Sequence, residues 1–78
     1  MKLMSLQEAE SSSDFDIKML AVRASRYRVF GSSERIPHTE MAVFDMRDGG
    51  EPADFADRYE VLDRHPVSAI YLVRKIGQ

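Results

Sequence analysis

Cysteine is absent from this 78-residue chain, and so is tryptophan. Without cysteine there is no disulfide, no thiolate metal site and no cysteine nucleophile. The absence fits a reducing cytoplasm. Long hydrophobic runs are missing as well. Apolar stretches such as 19–22 and 69–73 are short beside the ~18 residues needed to cross a bilayer. The opening MKLMSLQEAE meets Glu8 and Glu10 before any long hydrophobic region, which is not the pattern of a secretory signal. A cytoplasmic protein with no membrane contact is expected.

Chemistry-bearing motifs are equally scarce. There is no G-x-S-x-G, no P-loop and no G-x-G-x-x-G, so no nucleophile elbow and no nucleotide cofactor is implied. Gly49-Gly50 lacks the Lys and Ser/Thr of a phosphate cradle, and Asp48 and Glu51 on either side would repel a phosphate.

With 44% apolar and 31% charged residues, the chain has the composition of a globular protein. Its length predicts one compact domain over 1–78, with 1–13 forming a short capped helix and a flexible serine-rich join. A chain this short buries a modest fraction of its surface. Self-association, a homodimer included, or stabilisation by a partner would compensate for so small a core.

The net charge of −2 conceals two opposed blocks. Over 17–36, five bases face one acid, a local charge of +4. Over 45–63, seven acids face two bases, a local charge of −5. In the second block an acid occurs at every third position: Asp45, Asp48, Glu51, Asp54, Asp57, Glu60 and Asp63. Such asymmetry bears on partners and association rates rather than on fold.

Local signals outline the elements. Ser5-Leu6-Gln7-Glu8 matches the S-x-x-E capping box and predicts a short helix from Leu6 to about Glu10. Ser13 or Asp14 is placed to cap a second helix. Segment 17–30 begins with good helix formers and ends in the β-favouring RYRVF, so helix passing into strand is expected, with one long strand as the alternative. Segment 41–46 reads as a strand, Asp48-Gly49-Gly50 as a break, and 67–76 as a well-covered strand. Pro52, Phe55, Tyr59 and Leu62 fall on one stripe at helical spacing, predicting a helix over 52–62 with Asp54, Asp57 and Glu60 toward solvent. The expected architecture is α+β. A small antiparallel sheet of about three strands (27–30, 41–46, 67–76) carries one or two short helices on one face. Tyr27, Val29, Val43, Phe44, Phe55, Tyr59, Leu62, Ile70, Leu72 and Val73 form its expected core.

Three functional readings compete. His38 with Glu40 and His65 with Asp63 look like mirrored halves of a metal or acid–base site, but H-x-E is a weak signal. Histidines beside prolines in turns are ordinarily surface residues, so no catalytic or metal role is assigned to them. Arg23, Arg26 and Arg28 interleaved with Tyr27 offer guanidinium groups for phosphates and a ring for stacking, the alternative of a small regulatory nucleic-acid-binding domain. On a strand, however, Arg26 and Arg28 point away from Tyr27, and a pI near 5.6 opposes general affinity for nucleic acid. The favoured expectation is a non-enzymatic protein that binds stoichiometrically. Its acidic face, Asp48, Glu51, Asp54, Asp57 and Glu60, would cover a basic, nucleic-acid-binding surface on a partner protein, as an inhibitor or adaptor does. Small cysteine-free acidic proteins of phages and mobile elements, anti-CRISPR inhibitors among them, fit that physical description. The plainer account of the same carboxylates is a solvated face that maintains solubility.

Overall fold

Ser5 ends one element and begins the next. In the computed structural model, which describes residues 2–24 and 36–76 with the backbone alone at His38, strand β1 (Lys2–Ser5) runs directly into helix α1 (Leu6–Glu10). The turn is fixed by the capping box read from the sequence. The Ser5 hydroxyl accepts from the Glu8 N–H at 3.1 Å, and a Glu8 carboxylate oxygen accepts from the Ser5 N–H at 3.0 Å. Helix α2 (Phe15–Val22) starts in the same manner at Asp14, whose Oδ1 accepts from the N–H groups of Asp16 and Ile17 at 3.0 and 3.4 Å.

The two helices cover one face of a four-stranded antiparallel sheet in the order β1-β2-β4-β3. Strand β2 spans Met41–Asp45, β3 Tyr59–Arg64 and β4 Ile70–Lys75. The central pair, β2 and β4, is set by Met41 opposite Arg74 through Asp45 opposite Ile70. Alternation then divides their side chains. Met41, Val43, Ile70 and Leu72 face the helices, packing with Leu6, Ala9, Ile17, Leu20, Ala21 and Ala24. Phe44, Tyr71 and Val73 face the other way, where Met46 and Phe55 cover them. Both faces of the central strands are therefore buried, which explains why MAVF and AIYLV read as continuous apolar runs rather than alternating ones. Burial of each large side chain here, Leu20, Ile70 or Leu72, is worth about 1.5–3 kcal/mol.

The structure bears out the α+β class and a small antiparallel sheet, and it corrects several details. Strand β1 had no sequence signal of its own, being only four residues long and exposed at three of them. Residues 52–62 do not form a helix. Pro52–Asp54 is a single 3₁₀ turn, 55–58 continue as turns, and Tyr59–Arg64 is a strand. Helical spacing and a turn followed by a strand both bring Phe55 and Tyr59 to one side, so the stripe alone does not distinguish them. The deciding contact is remote: Tyr59–Arg64 finds backbone partners along β4, with Tyr59 opposite Lys75. A bulge between Val61 and Asp63 turns Leu62 toward the helix-side core, where it is half-buried. Of the expected core, Val43, Phe44, Phe55, Ile70, Leu72 and Val73 are buried, and Tyr59 and Leu62 are partly so. Tyr27, Val29 and the expected strand 27–30 lie outside the described residues. Among the described residues, no helix is long and apolar enough to cross a membrane.

Candidate functional site

The acidic series lies mainly on the connection from β2 to β3, and two buried side chains pin that connection down. Met46, 2% exposed, turns back at the end of β2, its N–H donating to the Ala69 carbonyl at 2.8 Å. Gly49 and Gly50, at φ 130° and 104°, then reverse the chain through backbone conformations that L side chains rarely adopt. After the 3₁₀ turn Phe55 inserts fully, 0% exposed, with its ring stacked on Phe44 at 4.3 Å and nearly parallel at 4°. Tyr59 meets Phe44 edge-on at 5.1 Å, and Tyr71 closes on Phe55 at 6.2 Å. With the apolar residues drawn inward, Asp48, Glu51, Asp54, Asp57 and Glu60 are all exposed.

The seven acids are not equivalent. Arg47 forks onto Asp45, with Nε to Oδ1 at 2.9 Å and Nη2 to Oδ2 at 2.8 Å, and also reaches Asp14 Oδ2 at 2.7 Å. These hydrogen bonds from the Arg47 guanidinium hold both the Asp14 and Asp45 carboxyls below the usual carboxylate range and push the guanidinium pKa up. Arg47 thus fastens the start of the connection to the cap of α2, and its charge is spent there. Asp63 lies 3.6 Å from Arg23, at the helix-covered side of the sheet. Asp54 Oδ2 accepts from the Glu51 N–H at 2.9 Å, so this carboxylate holds the 3₁₀ turn closed. Arg58 contacts Asp57 at 3.5 Å and donates to the Asp54 carbonyl, but both side chains are exposed and such a pair is worth little. Asp48 carries a hydrogen bond that holds its carboxyl below the usual carboxylate range. From 51 to 60, four acids face the one base Arg58, a local charge of −3. The five partner-binding candidates therefore share one exposed segment, while Asp45 and Asp63 are taken up by arginines.

Beside that segment lies a groove that the sequence did not announce. Pro52, Phe55, Ala56 and Tyr59 wall it, Val61 and Ile76 extend it, and Glu60 stands at its lip, with a volume of about 400 Å³. The interleaving of apolar and acidic residues through 51–61 was its only trace in the sequence.

The other candidate residues fare differently. His65 is not a surface residue: it is 5% exposed. Its Nδ1 accepts from the N–H groups of Val67 and Ser68 at 3.1 and 3.0 Å, and Nε2 lies 3.3 Å from Asp16 Oδ1. Nδ1 shapes the β3–β4 connection, and Nε2 ties that connection to the first turn of α2. Glu40 immediately precedes Met41, which opposes Arg74, whereas the His65 N–H bonds to Ile70, at the other end of the same ladder. The two halves of the mirrored motif are thus separated by the length of β2. Among the described residues, no three potential metal ligands converge. Arg23 follows the last turn of α2 and is paired with Asp63; Arg26, Tyr27 and Arg28 lie outside the described residues.

Compared with known proteins, the chain matches no family model, no curated protein and no solved structure.

Proposed function

We propose that this chain works by stoichiometric binding rather than by turnover. In this reading the exposed acidic segment, Asp48, Glu51, Asp54, Asp57 and Glu60, docks on a basic surface of a partner protein. A surface that otherwise holds nucleic acid is the natural counterpart, because a row of carboxylates competes for the same lysines and arginines. An inhibitor or adaptor acting in the cytoplasm is the concrete form, of the kind that phages and mobile elements carry as anti-CRISPR proteins. The observation that supports it is the arrangement of charge: Arg47 is drawn off by Asp45 and Asp14, and the segment from 51 to 60 is left at −3 on a support pinned by the Phe55–Phe44 stack.

The test is charge reversal at positions whose carboxylates do not hold the turn together. Glu51→Lys, Asp57→Lys and Glu60→Lys in one variant should leave the circular dichroism spectrum unchanged. Asp54 is spared because its carboxylate accepts the Glu51 N–H. A partner captured from the native host by the wild-type chain should associate more slowly as salt is raised and be displaced by nucleic acid. The triple variant should fail to bind it. Equal binding by wild type and triple variant would reject the acidic-face reading.

A further inference from the structure

We propose that the groove walled by Pro52, Phe55, Ala56 and Tyr59 seats one large apolar side chain, an aromatic for preference, from a partner segment that carries lysine or arginine on either side of it. This rests on the acidic-face reading and specifies the chemistry of the segment that the face receives.

Size and rigidity come first. At about 400 Å³ the groove lies at the low end of ligand clefts, suited to one bulky anchor rather than to an enclosed substrate. Its floor is already ordered, since Phe55 is 0% exposed and stacked on Phe44, with Tyr59 edge-on to the same ring. A preformed floor reduces the ordering cost that binding otherwise carries. Its margins remain available: Val61 is 40% and Ile76 38% exposed. Buried aromatic anchors in desolvated pockets dominate binding energy at protein interfaces, and charged rims select the partner.

Charge complementarity identifies the occupant. Glu51 directly precedes the Pro52 wall, Asp54 and Asp57 bracket Phe55 and Ala56, and Glu60 stands on the lip. Arg58 and Lys75, with Asp57 beside them, line a smaller adjacent depression of about 230 Å³ that shares Tyr59 and Ile76 with the groove, and the charged residue lining the groove itself is Glu60. The Glu51–Glu60 margin remains negative, so an acidic apolar segment would be repelled and a neutral one would gain nothing from it.

The experiment uses the whole chain labelled with ¹⁵N and three short capped peptides: Lys-Lys-Trp-Lys-Lys, the same with glycine for tryptophan, and the same with glutamate for every lysine. The first should shift the amide signals of Ala56, Tyr59, Val61 and Ile76. Each of the others should bind about tenfold more weakly or worse, the scale set by loss of one anchor or by like-charge contact. Ala56→Trp, which fills the groove from within, should abolish those shifts while the rest of the spectrum keeps its dispersion. Equal binding of the glycine peptide, with shifts confined to 48–54, would overturn the groove and leave the acidic face standing. Equal binding of the glutamate peptide would overturn the basic flanks, and no shift with any peptide would overturn the proposal entirely. Shifts at the groove that grow with protein concentration alone would mean that a second copy fills it, which also rejects this occupant. In each case the triple lysine variant judges the acidic-face reading separately.

Discussion

Replacing His65 with alanine should cost about 2–4 kcal/mol of stability, and the geometry shows where the loss arises. The ring accepts at Nδ1 from the Val67 and Ser68 N–H groups at 3.1 and 3.0 Å, so its proton sits on Nε2, facing Asp16 Oδ1 at 3.3 Å. Each of the two backbone hydrogen bonds is worth about 1 kcal/mol net. Val67 is 84% exposed, so its freed N–H finds water and the loss stays near the low end. The Asp16 carboxylate is 40% exposed and adds less than about 1 kcal/mol. Removing a ring that is only 5% exposed leaves a packing defect worth on the order of 1 kcal/mol. A domain of this length has about 4–12 kcal/mol in total. The midpoint of thermal unfolding should therefore fall by about 10–30 °C. Urea and thermal unfolding followed by circular dichroism measure this directly. His65→Asn is the discriminating control, because its Oδ1 occupies nearly the place of Nδ1 and keeps both backbone bonds. It should restore about half of the loss. A loss below about 0.5 kcal/mol for the alanine variant, or an asparagine variant no better than alanine, would refute the role given to Nδ1.

Two further outcomes test the support of the acidic segment. Arg47→Ala should lower stability at neutral pH and flatten its decline in acid. Asp14 and Asp45 have folded-state pKa values below the ordinary value of about 3.9, so their contribution is present above that value and is lost as pH falls through the depressed ones. Acid titration of both proteins by fluorescence or circular dichroism should show the steeper loss in the wild type; superimposable curves would contradict the Arg47 network. Gly50→Ala should cost about 1–3 kcal/mol, because φ of 104° strains any side chain and the new Cβ would stand 2.7 Å from Met46 Cε. Chemical denaturation checks it, and an unchanged midpoint would mean that the turn does not require glycine.

How much of this was legible depends on how local each cause is. The Ser5 capping box and the Asp14 cap were readable because donor and acceptor lie within three residues of each other. The central strands were readable because burial on both faces leaves a run of β-favouring apolar residues at 41–45 and 70–75. His65 defeated local reasoning, since its neighbour Pro66 marks a turn but gives no hint that the turn folds over the imidazole. The acidic series was visible as spacing, yet spacing did not show that Arg47 and Arg23 would remove Asp45 and Asp63 from it.

The residues alone settled the fold class, the starts of the two N-terminal helices, the two covered strands and the excess of negative charge on the second half of the chain. Those follow from hydrogen bonds a few positions apart and from hydrophobicity. Tertiary structure alone decided that Tyr59–Arg64 is a strand and that Phe55 anchors a turn instead of a helix. It also decided which carboxylates meet arginines and where the groove lies. Each of these depends on partners distant in sequence, the β4 backbone, the Phe44 ring and the Asp14 cap, and a free-energy difference set across the fold does not register in any short window of residues.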